Sequence, residues 1–161
     1  MMASNIGFWI VSAVLIGSGA TKVTQPEPFG KFIADSTGRT IDVGLVRVVA
    51  ALEMILGLAG LTFGGRVTAG LIGAVYLIFT VVVATAMRSG AETCGCFGAA
   101  STKPKPAHLW MNVASAVVAA VALALDAPGL ADGLSGQGGM AVVILIAVVL
   151  GTAGVFFVDT R

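Results

Sequence analysis

The two sulfurs best suited to chemistry are Cys94 and Cys96, the whole cysteine complement of the chain. They flank one glycine in Thr93-Cys94-Gly95-Cys96-Phe97-Gly98, within a polar stretch, 88–108, of an otherwise apolar sequence. Structural cysteines behave as small hydrophobes and gain nothing from clustering in a polar loop. A bridge between such close neighbours removes almost no chain entropy, so it would add little stability. Gly95 offers the backbone freedom that a small disulfide ring demands, and a strained, accessible disulfide exchanges readily. The pattern points to redox-active thiols. Two thiolates with His108 and Met111 downstream would also suit soft Cu(I), and inert or partner-bonded thiols are the third alternative. A closed zinc site needs four ligands where the loop offers at most three good ones, so no metal ligand is assigned.

Two ionisable residues join the cysteines as candidates. His108, the chain's single histidine, stands where it could tune a thiolate or simply anchor a helix at the membrane interface. Glu53 falls in the middle of an apolar run, where a carboxylate is expensive and by default functional. Arg47 is six positions away and on a different helix face, so Glu53 must be neutral or partnered from another helix, with Lys22 or Asn112 as candidates. It reads either as a proton acceptor or quinone-pocket group, or as a polar fastener between helices.

The elements that must position these groups are membrane spans. Charged residues are 11% of the 161-residue chain and hydrophobic ones 57%, against roughly 25% charged in a soluble domain. The expected fold is therefore all-α: a polytopic transmembrane bundle forming a single membrane domain over 1–161. A net charge of +1 leaves no basic face for nucleic acid. Spans of about 20 apolar residues are expected near 6–23, 42–63, 67–87, 109–125 and 140–158, a four-helix core plus a fifth, C-terminal span. The first lacks a basic leader region and reads as a span rather than a removed signal. Lys22 is expected to snorkel to the interface, and Trp9 and Trp110 to sit in interfacial belts. Asp42 reads as an N-cap. Phe29, Phe32 and Ile33, with Lys31 and Asp35 on the other face, suggest a short amphipathic helix at the interface, or else an ordered loop with buried aromatics. The glycine-rich stretch 126–139 reads as a flexible linker, leaving the fifth helix loosely packed or available to a partner subunit.

Three segments carry a resemblance. Gly17-Ser18-Gly19-Ala20-Thr21-Lys22, Ala51-Leu52-Glu53-Met54-Ile55-Leu56-Gly57 and, most specifically, Cys94-Gly95-Cys96-Phe97-Gly98 make the first 125 or so residues similar to the MauE family of methylamine-utilisation membrane proteins, within the broader DoxX-like group. The resemblance implies a membrane thiol–disulfide protein, possessing oxidoreductase activity if catalytic, that works beside a thioredoxin-like partner in forming or maintaining disulfides of extracytoplasmic proteins. By architecture it also resembles quinone-linked disulfide-generating bundles, which implies a membrane quinone as electron carrier. A non-catalytic accessory subunit of a larger membrane complex is the competing expectation.

Sidedness is contested within the sequence itself. Five spans put the first connection, the Cys loop and the C-terminus on one face, with Lys22, Lys31, Arg39, Arg88, Lys103, Lys105 and Arg161 there and Arg66 alone opposite. The positive-inside rule would make that face cytoplasmic. Disulfide formation requires the opposite, because cytosolic thiols are kept reduced. The expectation adopted is an inner-membrane protein with the Cys loop outside.

Overall fold

A computed structural model describes residues 2–91, 103–135 and 139–159. Every regular element among them is helical: α1 (Met2–Thr24), α2 (Glu27–Thr37), α3 (Val43–Thr62), α4 (Gly65–Ser89), α5 (Pro106–Leu125), α6 (Leu130–Leu134) and α7 (Met140–Asp159). The expected polytopic helical bundle is what forms. Four of these helices, α1, α3, α4 and α5, are long and apolar enough to cross a membrane, and Met140–Val155 of α7 adds a shorter apolar helix.

Local chemistry sets the helix ends. Asp42 caps α3, its Oδ1 accepting from the Gly44 and Leu45 backbone N–H groups at 2.8 and 3.3 Å, as its position before the apolar run predicts. Pro26 and Pro28 open α2, where a missing N–H costs nothing, and Gly38 closes it in a left-handed conformation. Gly64 and Gly65, both at positive φ, make the α3–α4 turn tight.

Two pairings organise the bundle: α1 packs most extensively on α3, and α4 on α5. The α1–α3 contact is close because glycines remove side chains from it. A Cβ on Gly57 would lie 2.6 Å from the Ser12 carbonyl oxygen, a distance no side chain tolerates. The main core gathers Phe8, Trp9, Val11 and Leu15 of α1 with Ile72 and Tyr76 of α4, alanines of α5, and Ile144 and Val148 of α7. A second cluster lies at the other end of α1. There Phe29 and Phe32 of α2 pack on Val46, Ala86 and Ala91, so the amphipathic helix exists and covers the bundle's end, leaving Lys31 and Asp35 exposed.

Three expectations need correcting. Lys22 does not snorkel. It is 1% exposed, because α2 folds back over it and an acidic partner waits inside. Trp9 is not an interfacial residue. It is buried, and its Nε1–H donates to the Pro128 carbonyl at 3.0 Å; Trp110, by contrast, is exposed. The stretch after α5 is not a free linker through 135. Gly65 N–H donates to the Ala127 carbonyl at 2.8 Å, Asp126 Oδ1 accepts from the Arg66 backbone N–H, and α6 follows. The α7 helix in turn packs on α1, with Gly151 against Ile10.

Candidate functional site

The site begins with an ion pair inside the bundle. Lys22, in the last turn of α1, reaches Glu53, at the middle of α3, with Nζ 2.7 Å from Oε2; the side chains are 1% and 4% exposed. Of the two partners open to Glu53 from sequence, it takes Lys22, because the tight α1–α3 contact brings these two together. The ammonium also donates to Ser18 Oγ at 3.0 Å, one turn back on α1. Two aromatic rings complete its surroundings: Phe29 of α2 and Phe79 of α4, with centroids 5.0 and 4.5 Å from Nζ. Carboxylate, hydroxyl and two ring faces together replace the water that a buried ammonium gives up. The second carboxylate oxygen, Oε1, is buried with no hydrogen-bond partner among the described residues.

His108 occupies the first turn of α5 and is 2% exposed. Its Nδ1 accepts from the Lys105 backbone N–H at 3.1 Å, while the His108 backbone N–H donates to the Lys105 carbonyl at 3.0 Å. The imidazole thus closes the start of the helix, and a neutral ring held this way carries its proton on Nε2. Asn112 donates to the His108 carbonyl at 2.9 Å, a local helix contact. His108 does not anchor the helix at the membrane interface: it faces inward, 2% exposed, and its ring caps the start of α5.

Beside the pair lies a small cavity that Ser18 and His108 both line. Ser18, Tyr76, Phe79, His108, Asn112 and Ser115 supply its polar and aromatic lining. It offers about 30 Å³ to a water-sized sphere, enough for one or two waters, since a single water needs roughly 10–15 Å³ on this measure. Tyr76 is fixed beside it by donating to the Val11 carbonyl at 2.7 Å. A larger space of about 390 Å³ opens between α4 and α5, lined by Ala69, Gly70, Gly73, Ala74 and other wholly apolar residues.

Cys94 and Cys96 lie outside the described residues. The helices that bracket them are described: α4 ends at Ser89 with Gly90 in a left-handed conformation, and α5 begins at Pro106. Both ends of the connection therefore stand at the end of the bundle that carries Lys22, α2 and His108. Sequence reasoning missed Ser18, Phe29, Phe79 and Tyr76 as part of this environment. The signal for Ser18 was present, four residues before a lysine and so on its face of the helix; the aromatics gave none.

Exposed cations remain uneven between the two ends even with Lys22 withdrawn into the core. Lys31, Arg39, Arg47, Arg88, Lys103 and Lys105 are exposed toward the Cys-loop end, and Arg66 at the other. Arg66 lies 3.7 Å from Asp126, both well exposed, and contributes little to stability.

A family model described as "Methylamine utilisation protein MauE" matches residues 1–125. No curated protein and no solved structure matches the chain.

Proposed function

From the premise that this chain belongs to the MauE family of methylamine utilisation proteins and is a multi-pass membrane protein, we propose that it performs thiol–disulfide exchange through Cys94 and Cys96 with a thioredoxin-like protein. One observation carries the reading: the only two cysteines fall together in the connection between α4 and α5, at the end of the bundle where the buried ionisable groups gather. The reaction balances without a further carrier. A thiolate of the reduced loop attacks the partner's disulfide, forming a mixed disulfide and releasing one partner thiolate. The second loop thiolate then displaces the other partner sulfur, leaving a Cys94–Cys96 disulfide and a partner dithiol that takes up the two protons. The reverse direction reduces the loop.

The exchange would serve disulfides outside the cytoplasm, which requires the Cys loop to face outward, against the distribution of exposed cations. Intact cells treated with a membrane-impermeant maleimide, before and after reduction, test side and redox state together. The expected result is two labels after reduction and none before. No labelling from outside after reduction, or labelling before it that an oxidised thioredoxin-like protein does not remove, would overturn the proposal. A Cys94→Ser/Cys96→Ser variant that still supports maturation of partner disulfides would point instead to the accessory-subunit role.

A further inference from the structure

We propose that the outward face of α2 and the end of α4 form a docking surface for the acidic face of a soluble redox protein. This deepens the redox reading above and rests on it, since exchange needs a partner brought to the cysteine connection. The surface is made of residues that flank that connection. Lys31 and Asp35 of α2 meet Ser89 and Gly90, at the end of α4, around an open hollow of about 380 Å³ that reaches Ala91. Arg88 stands in the last turn of α4, and Lys103 and Lys105 where the chain returns to α5; all three are exposed.

Three observations select a protein as the occupant. The apolar face of α2 is spent on the bundle: Phe29 and Phe32 are 9% and 0% exposed and pack on Val46, Ala86 and Ala91. A helix that serves lipid turns that face to the acyl chains; here the face left outward is the one with Lys31 and Asp35. Next, these two residues are one turn apart, yet no ion pair joins them among the described residues. Their order, basic before acidic, is the weaker one for pairing along a helix. Two opposite charges therefore stay available in one hollow, a pattern that suits a protein surface bearing the complementary pair. Anionic headgroups would be drawn to one charge and repelled by the other. Finally, exposed cations at this end outnumber the exposed acids Glu27, Asp35 and Asp42, so the approaching surface is acidic overall. The cation excess that runs against an outward-facing loop has a use there: it attracts the partner.

A pair of peptide disulfides tests the surface without knowledge of the natural partner. Both close a disulfide across Cys-Gly-Pro-Cys, flanked by glutamates in one and by lysines in the other. The reduced full-length protein, in nanodiscs of phosphatidylcholine, reacts with each: the loop dithiol becomes a disulfide, and the peptide becomes a dithiol that takes the two protons. At low salt the acidic peptide should react about tenfold faster or more, the low end of electrostatic steering. The advantage should vanish at about 1 M salt, where the screening length is about 3 Å. Lys31→Glu should cut it by about threefold or more and Lys31→Gln by less, because a rim charge acts mainly on the association rate. Arg66→Glu, at the opposite end, should leave it unchanged. Lys31 is exposed, so its replacement spares the fold. Equal rates for the two peptides, or an advantage that Lys31→Glu leaves in place, overturn the docking surface while the redox reading stands. Anionic lipid held by the wild type but not by Lys31→Glu in native mass spectrometry, together with equal rates, would assign the surface to headgroups. Reaction with neither peptide, in protein whose thiols label with maleimide, sinks the redox reading and the surface with it, a result distinct from equal rates.

Discussion

Breaking the Lys22–Glu53 pair from one side should cost far more than removing it from both. At 2.7 Å and an effective dielectric near 20, the attraction is about 6 kcal/mol. Two cation–π contacts add about 0.5–1 kcal/mol each, and the Ser18 hydrogen bond to a charged donor adds about 1.5–3. Opposing these, desolvation takes several kcal/mol per ion, so the intact pair is close to neutral for stability. Lys22→Met or Glu53→Met leaves the remaining ion buried in a site 1% or 4% exposed, and each should lose about 3–5 kcal/mol. Independent losses would add to about 6–10 kcal/mol. Lys22→Met/Glu53→Met instead buries two apolar chains of similar size and should fall within about 2 kcal/mol of wild type, since well-packed apolar replacements of buried pairs are often neutral or better. Thermal unfolding in micelles at a fixed detergent ratio, followed by circular dichroism, should show each single variant melting roughly 10 °C or more below wild type and the double variant recovering most of the difference. Additive losses in the double variant, or single variants within about 1 kcal/mol of wild type, would refute the account of a buried, mutually dependent pair.

Two glycines at positive φ should respond differently to alanine. A Cβ on Gly64 would meet the Gly129 nitrogen and the Pro128 carbonyl carbon at 2.4 Å, whereas one on Gly38 would meet nothing within 4 Å. Gly38→Ala should therefore cost only the left-handed strain of about 1 kcal/mol, and Gly64→Ala on the order of 3 kcal/mol because backbone must move as well; equal melting temperatures would contradict the Gly64–Pro128 contact. The tryptophans separate by fluorescence: Trp110 is 65% exposed and Trp9 1%. Brominated acyl chains should quench the wild type and Trp9→Phe but barely Trp110→Phe, and Trp9→Phe should melt lower by about 1 kcal/mol for its lost hydrogen bond to Pro128. Strong quenching that survives in Trp110→Phe would mean that Trp9 meets lipid.

What the sequence disclosed was mostly what neighbours along the chain decide. Span positions follow from apolar length, the α3 cap from Asp42 sitting just before its run, and α2 from the spacing of Phe29, Phe32 and Ile33. Glu53 announced itself as a charge out of place, and arithmetic on helix angle excluded Arg47. Choosing Lys22 over Asn112 needed the register of α1 on α3, which Gly57, Gly60 and Ser12 set by close approach, a property of two surfaces rather than of either segment. Trp9 was misread for a related reason. Its partner lies 119 residues away, and an amphipathic ring near a span's end looks the same in sequence whether it meets lipid or protein. Glycines between 126 and 135 suggested freedom, yet Gly129 has the Thr62 carbonyl oxygen 2.2 Å from where a Cβ would stand; there the missing side chain permits contact.

Stability does not account for a lysine and a glutamate buried together in an apolar bundle, since two hydrophobic side chains would hold α1 to α3 about as well. Registry does not require them either, because the glycine contacts along α1 and α3 already allow only a narrow range of approach. What an ion pair offers that methionines cannot is a fixed pair of opposite charges, and the ammonium of this one donates to Ser18, which with His108 lines a small cavity. Its surroundings are arranged around the cation: two ring faces approach Nζ from α2 and α4, while the carboxylate keeps an oxygen without a partner among the described residues. A mere fastener would satisfy the anion as carefully as the cation. That asymmetry makes the cation the group around which the surroundings are built, at the end of the bundle from which the connection bearing Cys94 and Cys96 departs.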